Sequence, residues 1–152
     1  MSLHKKVMTD IEIQKYLEGL YNQIQNAKKW KVELTTEWKK QFPNFKGVYC
    51  IFDNTGMVYV GETSNIRERM GHLMNSRHHT LRRTLGEKYF SDREGFEKAT
   101  SKKKFEPEQV EKDLEKYMRM NLTVAFIEVK LGRKELEEYI QIKHSTLLNK
   151  RP

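Results

Sequence analysis

The sequence is poor in cysteine and proline, with one cysteine and three prolines in 152 residues. A single cysteine excludes an intramolecular disulfide and a zinc site built from several cysteines. Cys50 lies in an apolar run, which predicts a buried structural thiol. No run approaches the roughly 20 apolar residues of a membrane span, and the first residues lack the apolar stretch of a signal peptide. These absences favour a reducing cytoplasmic setting and no membrane partner.

Positive charge is what the sequence has in excess. Lysine and arginine total 29 against 21 acidic residues, which gives a formal net charge of +8. Such an excess attracts polyanions at long range: DNA, RNA or an anionic membrane surface. The hydrophobic fraction of 37% is sufficient for a core, so disorder throughout is excluded.

Two β-rich runs around a turn predict a hairpin. The runs cover 47–52 and 57–61, and an Asp-Asn-Thr-Gly turn joins them at 53–56. A third strand is predicted over 122–131, where Gly132 ends it. We therefore expect an α+β fold with a small antiparallel or mixed sheet of three strands flanked by helices.

Helical periodicity and capping residues predict the remaining elements. Helices are expected over 8–31, from a cap at Thr63 or Ser64 to about Ser76, over 79–86 with Gly86 as the stop, from Pro107 onward, and over 133–145. Between them, 77–106 reads as a basic insert. These segments predict a single domain over 44–152, which contains the basic insert, preceded by an N-terminal helical extension over 1–43.

The hairpin carries two related triplets. Gly47 and Tyr49 belong to a Gly-Val-Tyr triplet, and Tyr59 and Gly61 belong to a Tyr-Val-Gly triplet. Arg69 follows Tyr59 by ten residues in an Asn-Ile-Arg-Glu-Arg run. Each triplet alone is a weak signal, because aromatic residues are common in strands. In this order and spacing, however, the residues resemble the two half-motifs and the catalytic arginine of the GIY-YIG nuclease family.

The resemblance implies a catalytic set of Tyr49, Tyr59 and Arg69. A guanidinium suits such a site because it stays charged and can hold two phosphate oxygens at once. Many family members place a histidine four residues after the arginine, whereas here the histidine is His72, three residues after Arg69. Positions i+3 and i+4 both neighbour residue i on a helix, so His72 is retained as a candidate.

The resemblance also implies one metal ion, Mg²⁺ or Mn²⁺. The family's metal-binding glutamate commonly lies twelve residues before an asparagine, and Glu137 precedes Asn149 by twelve. One carboxylate with waters and phosphate oxygens is a usual way to hold Mg²⁺. Glu135 and Glu138 are rivals on the same helix. Asn149, with the two triplet glycines Gly47 and Gly61, is expected to brace the site.

Basic residues near and beyond the triplets are expected to contact the nucleic-acid backbone, although charge runs are often only solvated. These are Arg67, Arg77, His78, Arg82, Arg83, Lys102, Lys103 and Lys104. The adjacent histidine, His79, is read with His78 as part of a basic loop and not as a metal ligand.

The resemblance implies a metal-dependent DNA endonuclease that hydrolyses phosphodiester bonds in double-stranded or branched DNA, in repair or restriction. One alternative is a catalytically silent member that binds nucleic acid through the same fold. Another is an unrelated basic α+β protein in which the triplets are coincidental. Convergence of Tyr49, Tyr59, Arg69 and Glu137 on one groove would decide against coincidence.

Overall fold

One antiparallel sheet and six helices make up the part of the chain that this computed structural model describes, residues 7–145 and 147–149. The helices are α1 (Asp10–Gln25), α2 (Thr36–Lys40), α3 (Ile66–His72), α4 (Thr80–Phe90), α5 (Glu108–Asn121) and α6 (Arg133–Lys143). The strands are β1 (Trp30–Lys31), β2 (Gly47–Asp53), β3 (Gly56–Thr63) and β4 (Thr123–Glu128). The predicted α+β class and the N-terminal helix are confirmed.

The sheet has four strands in the order β1-β4-β2-β3, so the prediction of three strands is wrong by one. The β2–β3 hairpin forms as predicted, with Tyr49 opposite Gly61. The extra strand is β1, where Trp30 pairs with Val124 of β4. The helix predicted over 8–31 ends at Gln25. Strand β1 has only two residues, too few for the alternating pattern by which a strand is predicted from sequence. The domain division at 43 stays a prediction.

Helices cover both faces of the sheet, and β2 is therefore buried along nearly its whole length. Successive side chains of a strand point to opposite faces. Tyr49 and Ile51 accordingly join the core beneath α2 to α5, and Val48 and Cys50 join the core beneath α1 and α6. Burial raises the pKa of the Cys50 thiol, as expected for a structural residue.

Several element ends differ from their predictions. Helix α3 begins one or two residues later than expected, because Thr63 still belongs to β3 and Asn65 is the cap, its side chain accepting from the backbone amide of Glu68. Strand β4 stops at Glu128. Gly132, with φ of 87°, caps α6 and does not end the strand. Helix α5 starts at Glu108, so Pro107 is its cap rather than its first residue.

Gly86 does not stop a helix. It lies inside α4, which extends to Phe90. A Cβ at Gly86 would lie 2.2 Å from the ring of Phe105, so the glycine allows the segment before α5 to pack closely on α4. Among the helices in the described part of the chain, none has both the length and the apolar character needed to cross a bilayer.

Candidate active site

The hairpin presents both tyrosines on one face of the sheet. The ring centroids of Tyr49 and Tyr59 are 6.0 Å apart. Gly61, directly opposite Tyr49, makes room for it, since a Cβ there would lie 2.4 Å from the Tyr49 hydroxyl oxygen. A Cβ at Gly47 would lie 2.1 Å from the Ile127 carbonyl oxygen, so that glycine allows β4 to approach. Each triplet glycine therefore has a packing reason independent of chemistry.

Arg69 is held beside the tyrosines by three contacts. Its Nε donates to the Tyr49 hydroxyl at 3.2 Å. Its Nη1 donates to the His78 carbonyl at 3.3 Å and lies 3.2 Å from Nδ1 of His72. The guanidinium is therefore oriented before any substrate binds, which is the preorganisation that electrostatic catalysis requires.

His72 lies next to Arg69, as its position three residues later predicts. A guanidinium can only donate, so Nδ1 of His72 accepts and the proton of the neutral ring resides on Nε2. Partial burial and the Arg69 charge lower the pKa of His72, which keeps the ring neutral near pH 7. Leu73, at the position where many family members carry histidine, is fully buried.

His79 is the site residue that the sequence interpretation missed. It was expected in a basic loop, yet it has no exposed surface. Its Nε2 lies 2.8 Å from the Tyr49 hydroxyl, and its Nδ1 accepts from the Leu81 amide at 3.1 Å. That second bond assigns the proton to Nε2, so His79 donates to Tyr49. The available signal was its place at the start of a predicted helix, where it caps α4.

The Tyr49–His79 pair is neutral in the free protein. Burial disfavours the phenolate and is the largest cause that raises the pKa of Tyr49 well above its ordinary value; the Arg69 charge opposes this. Burial also lowers the pKa of His79 well below its ordinary value, and the charge of Arg69 adds to that effect. The two side chains therefore meet as a phenol and an imidazole.

Stability is expected to fall at mildly acidic pH because of His79. In the unfolded chain this histidine takes up a proton below about pH 6.5, whereas the buried ring stays neutral. Unfolding then binds a proton, so the free energy of unfolding decreases as pH falls, by up to about 1.4 kcal/mol per pH unit. Urea denaturation at pH 5, 6 and 7 measures this dependence.

The matched pair of variants for that experiment is His79→Gln and His78→Gln. His79→Gln should lose part of the dependence on pH, and His78→Gln should keep it, because His78 is exposed. An unchanged dependence in His79→Gln would contradict the assignment.

Glu137 lies on α6, and its carboxylate contacts β3 near the C-terminal end of that strand. Its Oε2 accepts from the Glu62 amide at 2.9 Å, next to Gly61. Half-burial is the main cause that raises the pKa of the Glu137 carboxyl, and the Glu62 carboxylate adds to it. The rivals on the same helix, Glu135 and Glu138, are exposed. Glu137 therefore differs from both rivals in its bond to β3 and in its burial, and its role as the metal-binding glutamate stays a prediction.

Glu62 and Glu137 are the two carboxylates next to Gly61. Oε2 of Glu62 is shielded from solvent and makes no hydrogen bond within the described residues, although Arg133 Nη1 lies 3.1 Å away. The described residues contain no group of three or more His, Cys, Asp or Glu suited to a metal. A metal here would depend on Glu137, with Glu62 beside it, and on water or phosphate oxygens, which is a usual arrangement for Mg²⁺.

Asn149 is hydrogen-bonded to β3 at Val60. Its Nδ2 donates to the Val60 carbonyl at 2.6 Å, and its Oδ1 accepts from the Val60 amide at 3.1 Å. The Leu148 amide also donates to the Val58 carbonyl. These bonds connect the C-terminal segment to the strand that carries Tyr59 and Gly61, and a bracing role of Asn149 in the site stays a prediction.

Arg82 does not lie where a nucleic-acid contact was expected. It is buried, and its guanidinium donates to Ser76 Oγ at 2.9 Å, to the Leu73 carbonyl at 2.9 Å and to Glu111 at 3.1 Å. The expectation is therefore corrected: Arg82 joins α4 to α5. The sequence shows the charge of Arg82, but it does not show that the carboxylate of Glu111, distant along the chain, neutralises that charge.

The other basic residues are distributed over the surface. Arg77, His78, Lys102 and Lys104 are exposed. Three are partly engaged: Arg67 donates to the Phe42 carbonyl, Arg83 to the carbonyls of residues 76 and 77, and Lys103 to two glutamates. Contacts of these residues with nucleic acid stay predictions.

The family model described as the GIY-YIG catalytic domain matches residues 19–152, which is most of the chain. No curated protein and no solved structure gives a significant match.

Proposed function

The chain belongs to the GIY-YIG catalytic-domain family, a nuclease family, and from this premise we propose that it is a metal-dependent endonuclease that hydrolyses phosphodiester bonds in DNA. The observation that carries the proposal is the arrangement around the hairpin. Arg69 is bonded to Tyr49 on β2, and Glu137 is bonded to the end of β3. The Arg69 guanidinium, which can bind phosphate, and the Glu137 carboxylate, which can bind a metal ion, are thus both held against the β2–β3 hairpin.

Phosphodiester hydrolysis needs an activated water, neutralised charge on the phosphate and help for the leaving oxygen. When bound, Mg²⁺ or Mn²⁺ supplies Lewis-acid polarisation of the phosphate and stabilises the departing 3′ oxygen. Glu137 would hold the ion, and Glu62 lies beside it. Half-burial raises the pKa of the Glu137 carboxyl, and a bound cation would favour its charged form.

Arg69 is proposed to bind the scissile phosphate. Its Nε and Nη1 are used within the protein, whereas Nη2 donates to no group in the described residues. The free edge of the guanidinium can therefore donate to phosphate oxygens while the rest keeps it oriented. His72, whose Nε2 carries the proton, can donate to a second oxygen.

Tyr49 is proposed to orient and deprotonate the attacking water, and Tyr59 to position water or phosphate. Two donors, Arg69 Nε and His79 Nε2, point at the Tyr49 oxygen, and this favours a phenolate. Burial opposes it and prevails in the free protein, since the pKa of Tyr49 is raised. The reactive phenolate is therefore a minor form at neutral pH.

Cleavage should accelerate with rising pH if Tyr49 is the base. Below its pKa the deprotonated fraction grows tenfold per pH unit, so kcat should rise about tenfold per unit between pH 6 and 9. Single-turnover cleavage across that range measures the slope. Tyr49→Phe should lose it; residual cleavage by that variant with the same slope would leave Tyr49 only the role of holding Arg69.

The substrate is tested with a panel of plasmid, branched, flapped and single-stranded DNA, together with RNA, each with Mg²⁺. We expect cleavage of at least one DNA form. Preference for branched or flapped DNA would indicate repair, and cutting at one duplex sequence would indicate restriction. Binding to DNA without cleavage of any form would favour the catalytically silent alternative, and cleavage of RNA alone would contradict a DNA substrate.

A further inference from the structure

Lys39 lies across the helix that carries Arg69. Helix α2 packs on α3, and the Lys39 side chain passes over Gly71. A Cβ at Gly71 would lie 2.8 Å from Lys39 Cε and 3.0 Å from its Nζ. The missing side chain at 71 therefore lets the ammonium approach α3 between Arg69 and His72.

The position of Lys39 is set by rigid neighbours. Thr35 caps α2 by accepting from the Trp38 amide at 3.1 Å. The Trp38 ring is buried, donates to the Lys31 carbonyl at 2.8 Å and packs edge-on against Phe42 at 4.8 Å. Because the residue before Lys39 is anchored in the core, the lysine starts from a fixed point beside the site.

Lys39 has no counterion among the described residues, since it takes part in no salt bridge or side-chain hydrogen bond there. The adjacent Lys40, by contrast, pairs with Glu37 at 4.0 Å. Burial and the Arg69 charge are the main causes that lower the pKa of His72, and the Lys39 charge adds a smaller contribution in the same direction; Glu68 acts in the opposite direction.

Cations gathered without pairing destabilise one another, and an anion placed among them relieves that cost. The α2–α3 side of the site thus has the charge that suits phosphate, whereas the carboxylates of Glu62 and Glu137 lie at the end of β3.

We propose that Lys39 binds a backbone phosphate of the DNA next to the scissile one, so that the strand crosses the junction of α2 and α3. This inference rests on the proposed function, because it takes DNA as the ligand. Lysine binds phosphate as a point charge without demanding one geometry, as suits a sequence-independent contact. It also gives the segment before the hairpin a part in substrate binding.

The test compares Lys39→Gln with Lys40→Gln and Lys39→Arg. Glutamine removes the charge and is one atom shorter than lysine, so that part of the stem over Gly71 is retained. Binding of the intact protein to a fluorescent DNA duplex is measured in EDTA while NaCl is raised, and thermal unfolding checks the fold of each variant. Each phosphate contact contributes about 0.9 to the slope of log K against log salt, so one contact corresponds to roughly eightfold in affinity at 0.1 M NaCl.

We expect Lys39→Gln to lower that slope by about 0.9 and to weaken binding roughly eightfold at 0.1 M NaCl. Lys40→Gln should change affinity less than about twofold, because its ammonium is already paired and exposed. Lys39→Arg should retain the wild-type slope.

Equal slopes for Lys39→Gln and Lys40→Gln, in a wild-type protein that binds and cuts DNA, would overturn the role of Lys39 and leave the proposed function standing. A slower cleavage by Lys39→Gln with an unchanged slope would also overturn it, since the lysine would then act through His72. If the wild type bound no duplex at any salt concentration and cut no DNA, the proposed function itself would fail.

Discussion

Replacing Glu137 with glutamine is expected to reduce metal-dependent cleavage by on the order of 10³-fold while the protein stays folded. The amide keeps the size of the carboxylate, and its oxygen can still accept from the Glu62 amide. It lacks the charge that would hold the ion. Because the pKa of Glu137 is raised by folding, removing its charge should not lower stability at pH 7. Plasmid cleavage and thermal unfolding of the same preparation measure both effects.

The matched controls are Glu135→Gln and Glu138→Gln. Both residues are exposed on α6, the helix that carries Glu137. Each control variant therefore removes one negative charge from the same helix. We expect cleavage within about threefold of wild type for these surface changes. Undiminished cleavage by Glu137→Gln would remove Glu137 from the mechanism, and a loss confined to one of the two controls would transfer the metal to that residue.

Arg69→Lys is expected to lower kcat by about 10²- to 10³-fold, the usual cost of removing a preorganised donor from a developing charge. Lysine keeps the charge but not the planar fork. One ammonium cannot bond to Tyr49 and to the His78 carbonyl, as Arg69 does, and at the same time hold two phosphate oxygens. Single-turnover cleavage at saturating protein separates this loss from weaker DNA binding.

Arg119→Lys is the control for that experiment. Arg119 lies at the end of α5 and bonds to the Glu33 carbonyl, so its variant should cut at the wild-type rate. If Arg69→Lys kept the wild-type kcat and changed only the affinity for DNA, Arg69 would be a binding residue without a special role in the transition state.

Local patterns in the sequence predicted the part of the site that lies on the hairpin. Alternating β-formers around a turn indicated β2 and β3, and the pairing of the two triplets follows from that register. The spacing between Glu137 and Asn149 selected the one glutamate of three that bonds to β3. These features depend on residues that are close in sequence or on a family spacing.

The rest of the site depends on contacts between distant residues. His79 meets Tyr49 across thirty positions, Arg82 is neutralised by Glu111, and Lys39 reaches Gly71 only because α2 packs on α3. Neither periodicity nor composition indicates such pairs, so the sequence predicts a loop position for His79 and a surface position for Arg82. Charge counted along a chain does not show which charges are already paired.

The most direct measurement of the central claim is the fate of covalently closed circular DNA, which has no ends for an exonuclease to attack. We predict that the wild-type protein converts it to nicked or linear forms in Mg²⁺, that EDTA stops the conversion, and that Glu137→Gln does not support it. A closed circle that stays intact in Mg²⁺ and Mn²⁺ while the folded protein is bound to it would contradict the account.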